Sequence, residues 1–122
     1  MIVVDASVVA AICFVEPRAD EAAALLNDYH LAAPMLLPFE LANLARSKAL
    51  AHPDDADKIS SNLQKALKFK VTLMPVDHYA VYALSVSTGL TAYDASYLHL
   101  ARVLTASLAT FDRRLAAAAA RG

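Results

Sequence analysis

The sequence predicts an α/β fold, a three-layer α/β/α sandwich around a short and mostly parallel central sheet. Three observations predict it. Short apolar runs alternate with longer segments whose apolar residues recur at helical spacing, the pattern of strand–helix–strand units. The strand candidates are apolar throughout rather than alternating, as strands covered on both faces are. The apolar fraction is 58%, above the usual 45–50% or so, and alanine supplies much of the excess, which suits closely packed helices.

The elements follow in order. "IVV" at residues 2–4 is β-branched and reads as a buried strand ending at Asp5. "SVVAAICFV" reads as a short apolar helix closed by Glu16–Pro17. Residues 18–29 place Ala22, Leu25, Leu26 and Tyr29 on one helical face. "HLAAP", 30–34, is a second strand candidate. Pro38 suits the first turn of a helix running to about Leu50. "HPDD" at 52–55 breaks that helix and opens the next, which carries Ile59, Leu63, Ala66 and Leu67 on one face. Its Asp54, Asp55 and Asp57 complement the helix dipole. "KVTLMPV", 70–76, reads as a strand that Pro75 assigns to a sheet edge. A helix from about Asp77 to Ser87 stops at Gly89. Another runs from "LTAYD" to about Val103, "SLAT" at 107–110 is the last strand, and "DRRLAAAAA" the last helix. A single domain over residues 1–122 is expected, a length that buries an adequate core without staples.

Composition excludes several chemistries. The glycines are Gly89 and Gly122, so the P-loop and the dinucleotide-binding G-x-G-x-x-G pattern are absent. His30, His52, His78 and His99 show no i, i+4 pairing, and Cys13 is the one cysteine, so there is no zinc signature and no disulfide. A lone buried cysteine, a start "MIVVD" without a basic leader, and no apolar run of membrane-spanning length give a cytoplasmic expectation with no membrane association.

The acids divide into two groups. Glu16, Asp20, Glu21, Asp28, Asp54, Asp55, Asp57 and Asp77 occupy polar stretches or helix starts and read as solvated faces and caps. Asp5, Glu40, Asp94 and Asp112 lie instead in the apolar contexts "IVVDAS", "LPFELA", "TAYDAS" and "LATFDR". Each has an ordinary alternative. Asp5 and Asp112 can cap the helices they precede, Asp94 can belong to a capping box with Thr91, and Glu40 can answer a helix dipole. In a parallel sheet all four come to one strand edge, where ligands of such sheets bind. Two unit charges 4 Å apart cost about 4 kcal/mol at an effective dielectric of 20. Such a cluster therefore calls for protons or cations, and oxygen-only ligands select Mg²⁺ or Mn²⁺.

Net charge is −1, which at face value argues against nucleic acid. Eleven basic residues against the eight acids outside the quartet leave +3, and one bound Mg²⁺ would carry the whole chain from −1 to +1. Arg46 and Lys48, on the helix of Glu40, and Arg113 and Arg114, after Asp112, are the candidates to hold phosphates beside the metal.

With those residues in view, the whole chain resembles the PIN-domain nucleases, and within them the VapC-type toxins of bacterial toxin–antitoxin pairs. The resemblance rests on "VVDASV", on Glu40 followed by Asn43 in "FELANL", on "TAYDASYLHLA" and on "LATFDRRL", in that order. It implies a metal-dependent endoribonuclease with Asp5, Glu40, Asp94 and Asp112 around Mg²⁺ or Mn²⁺, cleaving RNA by metal-activated water. Asp5 and Asp94 are the expected direct ligands; Asp112 and Glu40 bind through water or orient the attacking water. Ser7, Asn43 and Thr110 match positions that support the site. Where some relatives carry a further acid, Arg113 and Arg114 stand here. The resemblance also implies a cognate antitoxin and a homodimer, with "MLLPF" and "AVYALSV" as candidate surfaces. The competing readings are a non-catalytic PIN-like RNA- or protein-binding module and a phosphatase of the haloacid-dehalogenase kind. The latter wants an acid where Ser7 stands.

Overall fold

The computed structural model describes residues 1–121, so that Gly122, the last residue of the expected domain, lies outside the described residues. Four parallel strands run in the order β3-β2-β1-β4: β1 Ile2–Val4, β2 Leu31–Pro34, β3 Thr72–Met74 and β4 Ser107–Ala109. Val3 pairs with Ala32 on one side and Leu108 on the other. Pro34 pairs with Met74 at the outer edge, next to Pro75. The chain starts at β1, moves outward to β2 and β3, then returns to add β4 on the other flank. The crevice beyond the carboxyl ends of β1 and β4 is therefore the switch point at which open α/β sheets place their ligands.

Among the described residues seven helices cover the sheet: α1 Ala6–Cys13, α2 Ala19–Leu26, α3 Leu37–Ala51, α4 Ala56–Leu67, α5 His78–Thr88, α6 Ala92–Leu104 and α7 Arg113–Ala120. A 3₁₀ turn at Pro53–Asp55 joins α3 to α4. Helix α1 packs on α2, α3 and α4, whereas α6 packs on α5, α7, β1 and β2, which gives the α/β/α layering expected. Val3, Val4, Val8, Val9, Ala32, Ala33, Ala95 and Leu115 are among the fully buried residues. Each Val or Leu so buried contributes roughly 1.5–3 kcal/mol. The alanines let helix and sheet approach closely.

Two helices are shorter than their patterns suggest. Helix α1 ends at Cys13 because Val15 turns the chain with a positive φ of 51°, an uncommon conformation for a β-branched residue. Helix α2 ends at Leu26, and Asp28 takes φ 59°. Tyr29 therefore falls outside the helix and is exposed, as is Leu25, and the inward face is only Ala22 and Leu26. On α4, Ile59 and Ala66 are buried and Leu67 is exposed. No helix among the described residues is long and apolar enough to cross a membrane.

Candidate active site

Asp5 ends β1 and caps α1: its Oδ1 accepts from the Val8 amide at 3.3 Å and from the Ser7 hydroxyl at 2.6 Å. Its Oδ2 accepts from the Thr110 hydroxyl at 2.5 Å, across 105 residues of chain. The Asp5 amide itself donates to the Ala109 carbonyl, fastening β1 to the end of β4. The two hydroxyls are themselves held. Ser7 Oγ accepts from the Phe111 amide and Thr110 Oγ1 from the Asp112 amide, both at 3.0 Å. An amide can only donate, so each hydroxyl proton is directed to Asp5, which serves as acceptor on both oxygens. With about four lone-pair sites on a carboxylate, Oδ1 is saturated and Oδ2 keeps one direction for a further positive partner. Asp5 is 7% exposed. Burial raises its pKa, against the opposing pull of the hydrogen bonds from Ser7, Thr110 and Val8.

Glu40 stands in the first turn of α3 and accepts at Oε1 from the Tyr97 hydroxyl at 2.5 Å. Burial pushes its pKa up; the Tyr97 bond pulls it down, and the charges of Asp94 and Asp5 push it up again. Tyr97 is 1% exposed, and its phenol is driven far above its ordinary range by burial and by Glu40, so it stays a neutral donor. Asp94 lies in the first turn of α6, whose cap is the Thr91 hydroxyl accepting from the Asp94 amide at 3.1 Å. Burial raises the Asp94 pKa, as do the charges of Asp112 and Asp5, while Arg114 opposes them. Asp112 caps α7, accepting at Oδ1 from the Leu115 amide at 2.8 Å.

All four carboxylates line one cavity of about 450 Å³, together with Ser7, Asn43, Tyr93 and Tyr97. Capping and convergence are therefore compatible: Asp5 and Asp112 cap their helices and face the cavity at once. Thr110 borders it only through Asp5. Among the described residues, no three carboxylate, histidine or cysteine side chains stand close enough together to grip a metal ion as placed. The acids share a pocket without meeting at a point. Like charges separate, and one oxygen each of Glu40 and Asp112 is held by a neighbour. The donor set nonetheless fits a hydrated hard cation. It is oxygen-only; burial pushes Asp5, Glu40 and Asp94 toward protonation and neighbouring carboxylates add to this for Glu40 and Asp94, a stress that a divalent cation relieves.

The basic candidates are placed differently. Arg46, Lys48, Arg113 and Arg114 are absent from the cavity lining. Lys48 Nζ donates to Glu16 at 2.7 Å and lies 5.4 Å above the Phe14 ring, which ties it to the α1–α2 turn. Arg114 Nη2 donates to the Gly89 carbonyl at 2.9 Å and stands near enough to Asp94 to act on it. Arg46 and Arg113 are exposed. Sequence reading missed the Tyr97–Glu40 bond and the aromatic wall formed by Tyr93 and Phe39. The spacing Asp94–Tyr97, three residues on one helix, puts the two side chains on one face and was the available signal.

Comparison with known proteins agrees with the fold. A family model described as "PIN domain" matches residues 2–121. The chain is 34% identical over 121 residues to Ribonuclease VapC3 of Pyrobaculum aerophilum, covering 94% of this chain and 92% of that protein. The crystal structure of PAE2754 from Pyrobaculum aerophilum superposes with a TM-score of 0.77 at 30% identity, covering 96% of this chain and 83% of that one.

Proposed function

The chain belongs to the PIN domain family, and from that premise we propose that it is a divalent-cation-dependent endoribonuclease, the toxin of a toxin–antitoxin pair. The observation that carries the proposal is the pocket at the switch point of the sheet, lined by Asp5, Glu40, Asp94 and Asp112. Its similarity to a ribonuclease supports the substrate class.

Mg²⁺, with Mn²⁺ able to substitute, would supply Lewis-acid stabilisation of the charge that develops at the scissile phosphate and would make water a better nucleophile. Asp5 and Asp94 would hold it directly, Glu40 and Asp112 through water. Asp5 is the fixed member, because Ser7 and Thr110 orient both its oxygens. Tyr97 holds one oxygen of Glu40 and leaves the other to accept a proton or a water. Asn43, one turn beyond Glu40 on α3, adds a neutral amide to the lining. Alone, the acidic pocket repels an RNA backbone, which makes the cation a condition of binding as well as of chemistry. A cognate antitoxin and a second copy of the chain are the proposed protein partners, and exposed Tyr79 and Val86 on α5 offer apolar surface for such contacts.

The test is cleavage of single-stranded RNA by the purified protein with EDTA, with Mg²⁺ and with Mn²⁺. Cleavage should stop in EDTA and return with Mn²⁺. Asp94→Asn should lower it about a hundredfold or more with the circular dichroism spectrum unchanged. Cleavage that persists in EDTA, or in folded Asp94→Asn, would overturn the proposal.

A further inference from the structure

A second cavity, of about 500 Å³, adjoins the acidic one, within the size range of small-ligand pockets. Leu36 and Tyr93 line both cavities. The second is mostly apolar, walled by Met35, Met74, Val81 and Tyr82, with His78 and Ser96 placing polar groups along it. Tyr93 is the partition. It is 64% exposed, so the core gains little from its ring, and it immediately precedes Asp94 at the start of α6. Tyr93 and Asp94 are consecutive and both line the acidic cavity, so a strand whose phosphate enters that cavity passes the Tyr93 ring. Ser96 fixes this first turn by donating its hydroxyl to the Tyr93 carbonyl at 2.5 Å.

Resting on the reading of the acidic pocket as a nuclease centre, we infer that the adjoining cavity is a nucleobase subsite. In it one unpaired base next to the cleaved phosphate stacks on Tyr93, with its edge turned toward His78 and Ser96. The shared wall is the argument for RNA over a protein segment. A strand whose phosphate reaches Asp94 has its neighbouring base beside Tyr93 without leaving the surface. Single-stranded RNA is characteristically held by bases stacked on aromatic rings, with base edges read by hydrogen bonds. The site would select unpaired over duplex substrate, because a base must leave its stack to enter.

The test uses a short single-stranded oligoribonucleotide carrying 2-aminopurine, whose emission falls when it stacks. With Mn²⁺, Tyr93→Ala should raise KM roughly tenfold with kcat little changed, while Tyr93→Phe, which keeps the ring, should behave as wild type. In wild type with Mn²⁺, stopped-flow emission should be quenched within the first turnover, and Tyr93→Ala should abolish that quench. Thermal melting checks that Tyr93→Ala is folded. Intact cleavage with an unchanged KM in Tyr93→Ala would overturn the subsite and leave the cavity to a protein partner. Quenching that needs Tyr93 without any cleavage by wild type would retain the subsite and remove the nuclease reading. A wild type that shows neither would end both.

Discussion

Tyr97 connects the core to the chemistry of the pocket. Its ring is buried under α6 while its hydroxyl reaches Glu40 on α3, 57 residues away in sequence. Tyr97→Phe keeps the packing and removes one bond, leaving Glu40 Oε1 unpartnered and its side chain free to swing. Neighbours that orient a catalytic acid typically contribute ten- to a hundredfold. A roughly tenfold drop in kcat for RNA cleavage with KM little changed is therefore expected, alongside a stability loss of about 1 kcal/mol. A melting shift with kcat intact would make Tyr97 a core residue only. Asp5 teaches a related lesson. Its sequence context, "IVVDAS", allowed a cap or a site residue, and the structure makes it both, a cap that also lines the pocket.

At the scale of elements, the pocket is assembled by helix starts. Glu40, Asp94 and Asp112 lie in the first turns or caps of α3, α6 and α7, and Asp5 caps α1. Every strand and helix of this plan was readable in the sequence, because apolar runs and punctuation such as Pro38, Pro75 and Gly89 mark their limits. Where expectation failed, the cause was backbone or pairing that periodicity does not encode. The left-handed turn at Asp28 cut α2 short of Tyr29. Lys48 was placed correctly on α3, but its bond to Glu16 could not be read from a spacing of 32 residues. The four acids were legible as a group because polar side chains stand out in apolar stretches, whereas Tyr93 and Phe39 merged with the apolar background. Helix α6 carries three pocket residues, Tyr93, Asp94 and Tyr97, from a single cap, so Thr91→Ala should destabilise the fold by about 1 kcal/mol and Thr91→Ser should restore most of it. Urea unfolding measures this as a lower midpoint with an unchanged slope. An unaltered midpoint would mean that packing, not the Thr91 hydroxyl, fixes the start of α6.

For the whole molecule, the pocket sets a conflict between folding and function. Asp5, Glu40 and Asp94 all have raised pKa values, chiefly from burial, and in addition for Glu40 from the charges of Asp94 and Asp5 and for Asp94 from those of Asp112 and Asp5. A carboxyl that binds its proton more tightly when folded stabilises the fold below the ordinary carboxylate range near pH 4. That contribution is lost as pH rises through the raised values, so at neutral pH the metal-free protein bears the full cost of three half-buried or buried charges. Glu21, beside Arg18, titrates in the opposite sense, so the pocket is isolated by the difference between wild type and Asp94→Asn. In EDTA the variant should melt higher than wild type at pH 7, and the gap should close as pH falls toward 4. Mg²⁺ should reverse the order at pH 7: a cation that binds only the folded pocket adds about 2.7 kcal/mol at a hundred times its dissociation constant, and the variant should respond far less. Thermal melts of both proteins across pH, with and without Mg²⁺, measure all of this. A gap that is independent of pH would show that Asp94 is held by its helix rather than stressed by its neighbours, and an equal response of both proteins to Mg²⁺ would place the cation away from this pocket.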